Sequence, residues 1–178
     1  MRGCYRLSRR KQIVEEYFDS VSGEDDWSPR YNIAPTQPVP VIRQNAKEPI
    51  RELSLVRWGL IPSWAKDSPV AAGMINARSE TAATKPAFRD ALKSRRCLIP
   101  ADAFYEWSRT GKAKQPYCFE INEGQLFAFA GLWDRWRDRS GIAVGMRLEP
   151  RVFVRDKTQP LSLDEGPSEC KESKLVED

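Results

Sequence analysis

Turn-forming residues interrupt this chain so often that long helices are disfavoured. The chain of 178 residues contains 13 prolines and 10 glycines, and both residue types disrupt the interior of helices and strands. We therefore expect neither a coiled coil nor a long helical bundle. We expect a single domain, because a chain of this length can bury an adequate hydrophobic core without disulfides or metals.

Short apolar segments between these turn residues are typical of strands. The predicted strands are residues 39–43, 52–58, 97–99, 117–121 and 126–132, and the turn at 122–124 predicts a hairpin between the last two. A helix is predicted over residues 8–18, with Ser8 as its N-cap and with Ile13, Val14, Tyr17 and Phe18 on one face. A second helix is predicted over residues 84–94, where Phe88, Ala91 and Leu92 form an apolar stripe. The pattern indicates a strand-rich α+β fold.

The composition changes near residue 140. Residues 1–140 are predicted to form the domain, whereas residues 141–178 are predicted to be a divergent tail that is partly disordered. No run of about twenty apolar residues could span a bilayer, and the first residues do not lead into a signal peptide. We therefore expect an intracellular protein, in the cytoplasm and nucleoid or in the nucleus depending on the organism.

The absence of histidine excludes several kinds of site. With no histidine in the chain, Ser-His and Cys-His triads and HExxH zinc sites are impossible. The cysteines are far apart and form no CxxC pair, so neither a zinc ribbon nor a thioredoxin-type motif is indicated; they are Cys4, Cys97, Cys118 and Cys170. No metal and no cofactor are expected. The net charge of +4 is a weak indication of a polyanionic partner.

Five separated motifs combine polar and aromatic residues with turn residues. They are YNIAPTQ at 31–37, WGLIPSWA at 58–65, INARSETA at 75–82, RRCLIPADAFYEW at 95–107 and FAGLWD at 129–134. Each motif has an ordinary structural interpretation by itself, since a tryptophan is more often a core residue and Arg78 could simply pair with Glu80. Their order and spacing together, however, resemble the SRAP family (SOS response-associated peptidase, or abasic-site processing proteins) over residues 1–136.

The resemblance implies a single compact α+β domain whose antiparallel strands curl into a barrel-like core. It also implies covalent capture of abasic sites in single-stranded DNA, and we expect the protein to be a monomer that does not bind a membrane. In the family, the α-amine of an N-terminal cysteine condenses with the sugar aldehyde, and its thiol then closes a thiazolidine ring. An α-amine with a pKa near 8 is partly neutral at physiological pH and is therefore nucleophilic. The resemblance implies two activities, removal of the residue that precedes this cysteine (an autopeptidase activity) and lyase-like chemistry on the abasic site. Both would belong to the DNA damage (SOS) response.

Seven residues carry the functional prediction. On the family pattern, Asn76 would help to hold the N-terminal residue and the sugar, and Glu106 would shuttle protons. Arg78 would bind phosphate and Trp107 would stack against a nucleotide. Pro35 and Trp58 would line the DNA groove. Cys4 is the candidate nucleophile.

The chain departs from the family pattern at two points. The family begins Met-Cys-Gly-Arg, whereas this chain begins Met-Arg-Gly-Cys, so that Arg2 and Cys4 are exchanged. Arg2 in second place predicts that Met1 is retained, which would leave Cys4 without a neighbouring free amine. The family's later histidine, which assists proton transfer, is also absent. The alternative prediction is therefore a catalytically impaired DNA-binding module or a partial form on the same fold.

Overall fold

Turn residues divide the chain into short strands, as its composition predicts. A computed structural model describes residues 4–23, 26–59, 75–110, 113–137 and 142–153. Within these ranges the strands are β1 (Tyr5–Leu7), β2 (Val21–Ser22), β3 (Arg30–Ile33), β4 (Pro38–Gln44), β5 (Arg51–Trp58), β6 (Arg96–Ala101), β7 (Ala103–Thr110), β8 (Ala113–Glu120), β9 (Phe127–Arg137) and β10 (Ile142–Phe153). The helices in the same ranges are α1 (Lys11–Phe18), α2 (Ser79–Ala82) and α3 (Arg89–Ser94). The α+β class is thus confirmed, and each predicted strand overlaps an observed one.

The strands form two sheets rather than one. The order is β3-β1-β7-β8 in the four-stranded sheet and β10-β9-β6-β4-β5-β2 in the six-stranded sheet. The predicted barrel-like core is not supported, because the strands divide between these two layers. β10 also contacts β5, in parallel, over only two residue pairs. The chain passes from one sheet to the other between β6 and β7, where Asp102 alone separates the two strands.

The predicted hairpin at residues 122–124 is wrong. β8 pairs with β7, whereas β9 pairs with β6 and β10, so this turn connects the two sheets. Asn122, Glu123 and Gly124 all have positive φ, at 41°, 58° and 83°, and the amide of Gln125 donates to the carbonyl of Ile121 at 2.8 Å. The turn residues correctly indicated a reversal of the chain. They carry no information about which strands pair.

The first helix begins later than predicted. Arg10 stands at the N-cap of α1 and makes no side-chain capping bond. Ser8 is engaged elsewhere, because its hydroxyl donates to Oδ2 of Asp102 at 2.7 Å. Val14 and Phe18 are buried, as the apolar face predicts, but Ile13 is exposed. The capping prediction therefore failed because a buried carboxylate takes the serine hydroxyl.

The second predicted helix is shorter than expected. Residues 84–94 contain α3 only at their C-terminal end, over Arg89–Ser94. Phe88 and Ala91 are nevertheless buried and Leu92 is partly buried, in a small cluster with Leu132 of β9. The apolar stripe thus identified a packed face even though the helix is brief. No helix in the described ranges is long and apolar enough to cross a membrane.

Aromatic side chains fill the space between the two sheets. The ring of Tyr5 in β1 lies 5.9 Å from that of Phe129 in β9, and Phe104 in β7 lies 5.9 Å from Phe129 as well. Both pairs are edge-to-face, which favours the rings electrostatically beyond the area they bury. Phe104 also stacks on Phe119 of β8 at 5.1 Å. This packing holds β1 and β7, the strands of the candidate site, against the six-stranded sheet.

The six-stranded sheet continues beyond the predicted domain boundary at residue 140. β10 pairs with β9 through nine pairs of residues, from Ile142 with Arg137 to Phe153 with Ala128. The backbone of 142–153 is thus part of the six-stranded sheet. The predicted disorder concerns residues that lie mainly outside the described part of the chain.

Candidate active site

Cys4 lies next to β7 at the start of the four-stranded sheet. The register pairs Tyr5 with Phe104, and the amide of Tyr105 donates to the carbonyl of Cys4 at 3.0 Å. Opposite residues of paired strands present their side chains on the same face, so Cys4 and Tyr105 share one face. Cys4 is half-buried, and this burial raises the pKa of its thiol. The thiol is therefore protonated near neutral pH.

Glu106 and Trp107 follow Tyr105 along β7. Glu106 is half-buried and is paired in register with Tyr117 of β8. Trp107 is paired with Pro116 and is 41% exposed, which is unusual for a tryptophan that only fills a core. Because side chains alternate along a strand, Trp107 lies on the same face as Tyr105, and Glu106 lies on the other. β7 thus brings the predicted proton carrier and the predicted stacking residue beside the strand that begins after Cys4.

Asn76 is connected to this region through Trp58. The indole nitrogen of Trp58 donates to the carbonyl of Ile75 at 2.9 Å, and the ring of Trp58 lies 5.6 Å from that of Tyr5. Asn76, which follows Ile75, is half-buried. Tyr5 in turn follows Cys4 directly. Two contacts therefore link the segment of Asn76 to the segment of Cys4.

Trp58 is a core residue, whereas the sequence predicted that it lines a groove. Its side chain is only 1% exposed. Its backbone holds the loop that contains Pro35, because the amide of Thr36 donates to the Trp58 carbonyl at 2.8 Å and the Trp58 amide donates to Gln37 at 2.9 Å. Trp58 therefore holds two segments of the candidate site from within the core, namely the loop that contains Pro35 and the segment that contains Asn76. Pro35 itself is half-buried in the turn after β3.

Arg78 is exposed at the N-terminal end of α2. It lies two residues beyond Asn76, and its carbonyl accepts a hydrogen bond from the amide of Thr81 at 3.1 Å. The neighbouring Ala77 is buried with Leu132, so this segment is anchored while the guanidinium faces solvent. An exposed, anchored arginine is suited to contact a phosphate.

The sequence interpretation missed a buried ionic cluster beneath β1. Asp102 is 0% exposed and accepts hydrogen bonds from the Ser8 amide at 2.6 Å and from Nε of Arg6 at 2.5 Å. Arg6 also contacts Glu120 at 2.6 Å. Burial opposes the charge of Arg6, but hydrogen bonds and charges of Asp102 and Glu120 outweigh it and raise the pKa of Arg6. The signal in the sequence is Asp102 itself, a single carboxylate in the apolar run that begins at Ile99. A buried charge requires partners, so this position indicates a cluster of charged or polar groups.

Two further cysteines, Cys97 and Cys118, lie in the described part of the chain. Cys97 is buried, which raises the pKa of its thiol to about 12. Cys118 is half-buried opposite Tyr105, and Cys170 lies outside the described residues. No group of three or more cysteine, aspartate or glutamate side chains in the described ranges could hold a metal ion.

A family model, SOS response associated peptidase (SRAP), matches residues 1–151. The chain belongs to the SRAP family. The match extends beyond residue 136, where the resemblance in the motifs ends, and it includes most of β10.

Known proteins resemble the chain in sequence and in fold. It is 41% identical over 150 residues to abasic site processing protein YoaM of Bacillus subtilis, covering 81% of this chain and 65% of that protein. It is 33% identical over 144 residues to abasic site processing protein HMCES of Xenopus tropicalis, covering 66% of this chain and 43% of that protein. The chain thus spans less than two thirds of the length of these relatives. A crystal structure of a Bordetella bronchiseptica protein superposes with a TM-score of 0.68 at 28% identity, over 84% of this chain and 71% of that one.

Proposed function

We propose that this SRAP chain processes abasic sites by joining covalently to the ring-opened sugar of single-stranded DNA. The observation that carries the proposal is the hydrogen bond from the Tyr105 amide to the Cys4 carbonyl at 3.0 Å. It brings the candidate nucleophile beside the strand that bears Glu106. The names of the curated relatives support the same class of reaction. Because its substrate would be cellular DNA, we infer that the protein acts inside the cell.

The covalent steps require Cys4 to lead the chain. Hydrolysis of the bond between Gly3 and Cys4 consumes one water and frees the α-amine of Cys4. This amine condenses with the sugar aldehyde and releases one water as the imine forms. The thiol then adds across the imine, its sulfur to carbon and its proton to nitrogen, which closes a five-membered thiazolidine. Only an amine and a thiol of the same cysteine can form this ring.

Glu106 would move the protons in these steps. The thiol of Cys4 is protonated near neutral pH because burial raises its pKa, so a base must take its proton as the ring closes. The Glu106 side chain lies on the other face of the neighbouring strand from Cys4, so its carboxylate would accept this proton and return it to the nitrogen through water. Asn76 would hold the N-terminal residue and the sugar. Trp58 would act as a positioning residue for Asn76 through its bond to Ile75.

The DNA strand would cross the exposed surface beside these residues. Arg78 is exposed and would contact a phosphate, and the half-exposed indole of Trp107 would stack against a nucleotide. Pro35 would border the same groove. The net charge of +4 favours a polyanion in general.

A second candidate function is binding without covalent capture. It is favoured by the three residues that precede Cys4 in the sequence, because an internal cysteine has no α-amine of its own. If Met1 leads the chain, its amine can form an imine but no thiazolidine. In that case Trp107 and Arg78 would still bind single-stranded DNA, and the affinity would fall steeply with salt.

The test is to incubate the protein with single-stranded DNA that contains one abasic site, and to measure its intact mass. A heat-stable band on a denaturing gel, with a mass that begins at Cys4, supports the covalent proposal. A band that forms only after borohydride reduction indicates an imine alone. The absence of both bands, together with equal affinity for intact and abasic strands, supports the binding module.

Two variants make this test specific. Cys4→Ser retains an amine and a hydroxyl but removes the sulfur, so we expect only the borohydride-dependent band. Arg2→Cys, expressed from Met1, restores the start Met-Cys-Gly of the family pattern, and we expect a heat-stable adduct from it even if the parent forms none. Failure of Arg2→Cys with Glu106 intact would contradict the assignment of the site.

A further inference from the structure

Two aromatic side chains of the four-stranded sheet are exposed to solvent. Tyr31 in β3 is 65% exposed and Trp107 in β7 is 41% exposed, and they are the exposed aromatic side chains among the described residues. Tyr5 and Phe104 of the same sheet, in contrast, pack against the core. Exposed aromatic surface costs free energy in water, so two such rings on one sheet call for an explanation.

A hydrogen bond fixes these two residues relative to each other. β1 lies between β3 and β7, and the hydroxyl of Tyr105 reaches across it to donate to the carbonyl of Tyr31 at 2.8 Å. Tyr105 and Trp107 share one face of β7 because they are two residues apart. The registers place Tyr31 near the level of Arg6, and they place Trp107 two residues beyond Tyr105, which is opposite Cys4. Tyr31 and Trp107 therefore lie diagonally on either side of Cys4, about two strand spacings apart across the sheet and about four residues apart along it, roughly 16 Å in all.

This separation suits two different nucleotides. One step along a DNA strand is about 3.4 Å when bases are stacked, so two aromatic residues at strand positions roughly 16 Å apart do not sandwich a single base. An abasic nucleotide leaves a gap in which its neighbours lose a stacking partner. Aromatic side chains stack on bases of any identity, because every base has a π face.

We propose that Tyr31 stacks on the base that neighbours the abasic nucleotide on one side, while Trp107 contacts the base on the other side. The inference rests on the proposed function and deepens it, since it assigns a second base-binding position across Cys4. Tyr105 is the positioning residue for Tyr31. Its hydroxyl holds the β3 backbone and leaves the Tyr31 ring in solvent.

The test measures binding to abasic single strands that lack a second base, either on the 5′ or on the 3′ side of the lesion. On the complete strand, Tyr31→Ala should weaken binding by about 5- to 100-fold, which corresponds to the loss of one stacked base. On the strand that lacks the base facing Tyr31, Tyr31→Ala and the unchanged protein should bind equally. Trp107→Ala should show the same dependence on the opposite side. Tyr31→Phe should bind as the unchanged protein does.

Controls separate stacking from folding. Val21→Ala removes an exposed apolar side chain from the other sheet and should leave binding unchanged. Tyr105→Phe should weaken binding by a smaller factor than Tyr31→Ala, and only on strands that keep the base facing Tyr31. Thermal unfolding of Tyr31→Ala should match that of the unchanged protein.

The outcomes also separate this inference from the proposed function. If the unchanged protein binds and forms the adduct while Tyr31→Ala binds equally well, the inference fails and the proposed function stands. An equal loss of affinity of Tyr31→Ala for every strand also overturns the inference, because Tyr31 would then act through the fold and not by stacking on a base. Binding with the predicted base dependence but no adduct supports the inference and contradicts covalent capture. If no single strand is bound at all, and a protein partner is found instead, both are overturned.

Discussion

The guanidinium of Arg6 lies against the carboxylate of Asp102, with Nε and Oδ1 2.5 Å apart. Asp102 is fully buried, and it also accepts both the amide and the hydroxyl of Ser8. Arg6 and Ser8 flank the end of β1, whereas Asp102 directly precedes β7. One carboxylate thus joins the two strands on which Cys4 and Glu106 depend.

Replacing Asp102 should therefore destabilise the fold and the site together. Asp102→Asn removes the charge that pairs with Arg6 and leaves this partly buried cation with Glu120 alone, so we expect a loss of about 2–4 kcal/mol in the free energy of unfolding. Urea denaturation measures it. The matched control is Asp19→Asn, whose partner is Arg51 at 3.2 Å and whose side chain is 83% exposed; it should cost less than about 1 kcal/mol. Equal losses in the two variants would contradict the role of the cluster.

The indole nitrogen of Trp58 should matter for activity as well as for stability. Trp58→Phe keeps a ring in the core but removes the donor to Ile75, and leaving a buried carbonyl unpaired costs about 1–3 kcal/mol. We expect adduct formation to slow because Asn76 is held less firmly. Trp27→Phe is the control, since its indole bond to Arg9 is exposed and 3.4 Å long. A Trp58→Phe protein with the original rate of adduct formation would contradict the positioning role.

A side chain at Gly124 should destabilise the fold through its effect on the backbone. Its φ is +83°, and a Cβ there would lie 3.5 Å from Nη2 of Arg6 and 3.7 Å from Oε2 of Glu120. Gly124→Ala should lower the free energy of unfolding by about 1–2 kcal/mol, mainly from the left-handed backbone. At Gly23 a Cβ meets nothing within 4 Å, so Gly23→Ala should have little effect by the same measurement. A neutral Gly124→Ala would show that the turn can adopt another conformation.

The two thiols should differ in their reaction with an alkylating agent. Burial raises the pKa of Cys97 to about 12 and raises the pKa of Cys4 as well. Since the thiolate is the reactive form, both should react more slowly at pH 8 in the folded protein than after unfolding. Half-buried Cys4 should react before buried Cys97, and its rate should still rise above pH 9. Mass spectrometry of the labelled peptides reports both rates.

Stability should also depend on Cys97 in alkali. Its folded pKa is raised, so between about pH 9 and pH 12 the unfolded chain loses a proton that the folded chain keeps. The contribution of this thiol to stability is therefore complete below pH 9 and declines through that range. Cys97→Ala should show a shallower decline than the unchanged protein in denaturation curves over the same pH range. Parallel declines would indicate that another group is responsible.

Local patterns predicted the strands well, but not how they are arranged. Apolar segments bounded by turn residues located β4, β5, β6, β8 and β9, because breakers act on the chain locally. The residues of the turn at Asn122 predict a hairpin wrongly, because they do not specify which strands pair. Strand pairing depends on distant contacts such as the packing of Phe104 against Phe129. β7 was overlooked because its polar end, at Glu106 and beyond, hides the alternation of a strand.

The motifs predict the residues of the candidate site. They do not predict the contacts that hold these residues in place. Motifs in the sequence predict Cys4 and Glu106, and the pairing of β1 with β7 places the two residues on neighbouring segments. Trp58 was expected on a surface, yet a tryptophan in a motif can equally serve the core, and only packing distinguishes the two. Asp102 and Tyr105 act through long-range hydrogen bonds to Arg6 and Tyr31, which sequence spacing cannot reveal.

The corner between β6 and β7 has a wider consequence. Because a single residue, Asp102, separates Ala101 from Ala103, the chain has no spare length there. A sliding movement of one layer over the other would have to pull β7 along its own axis and change its register with β1. We therefore expect any conformational response to DNA to arise in the loops and the ends of strands, while the two layers move as one rigid unit.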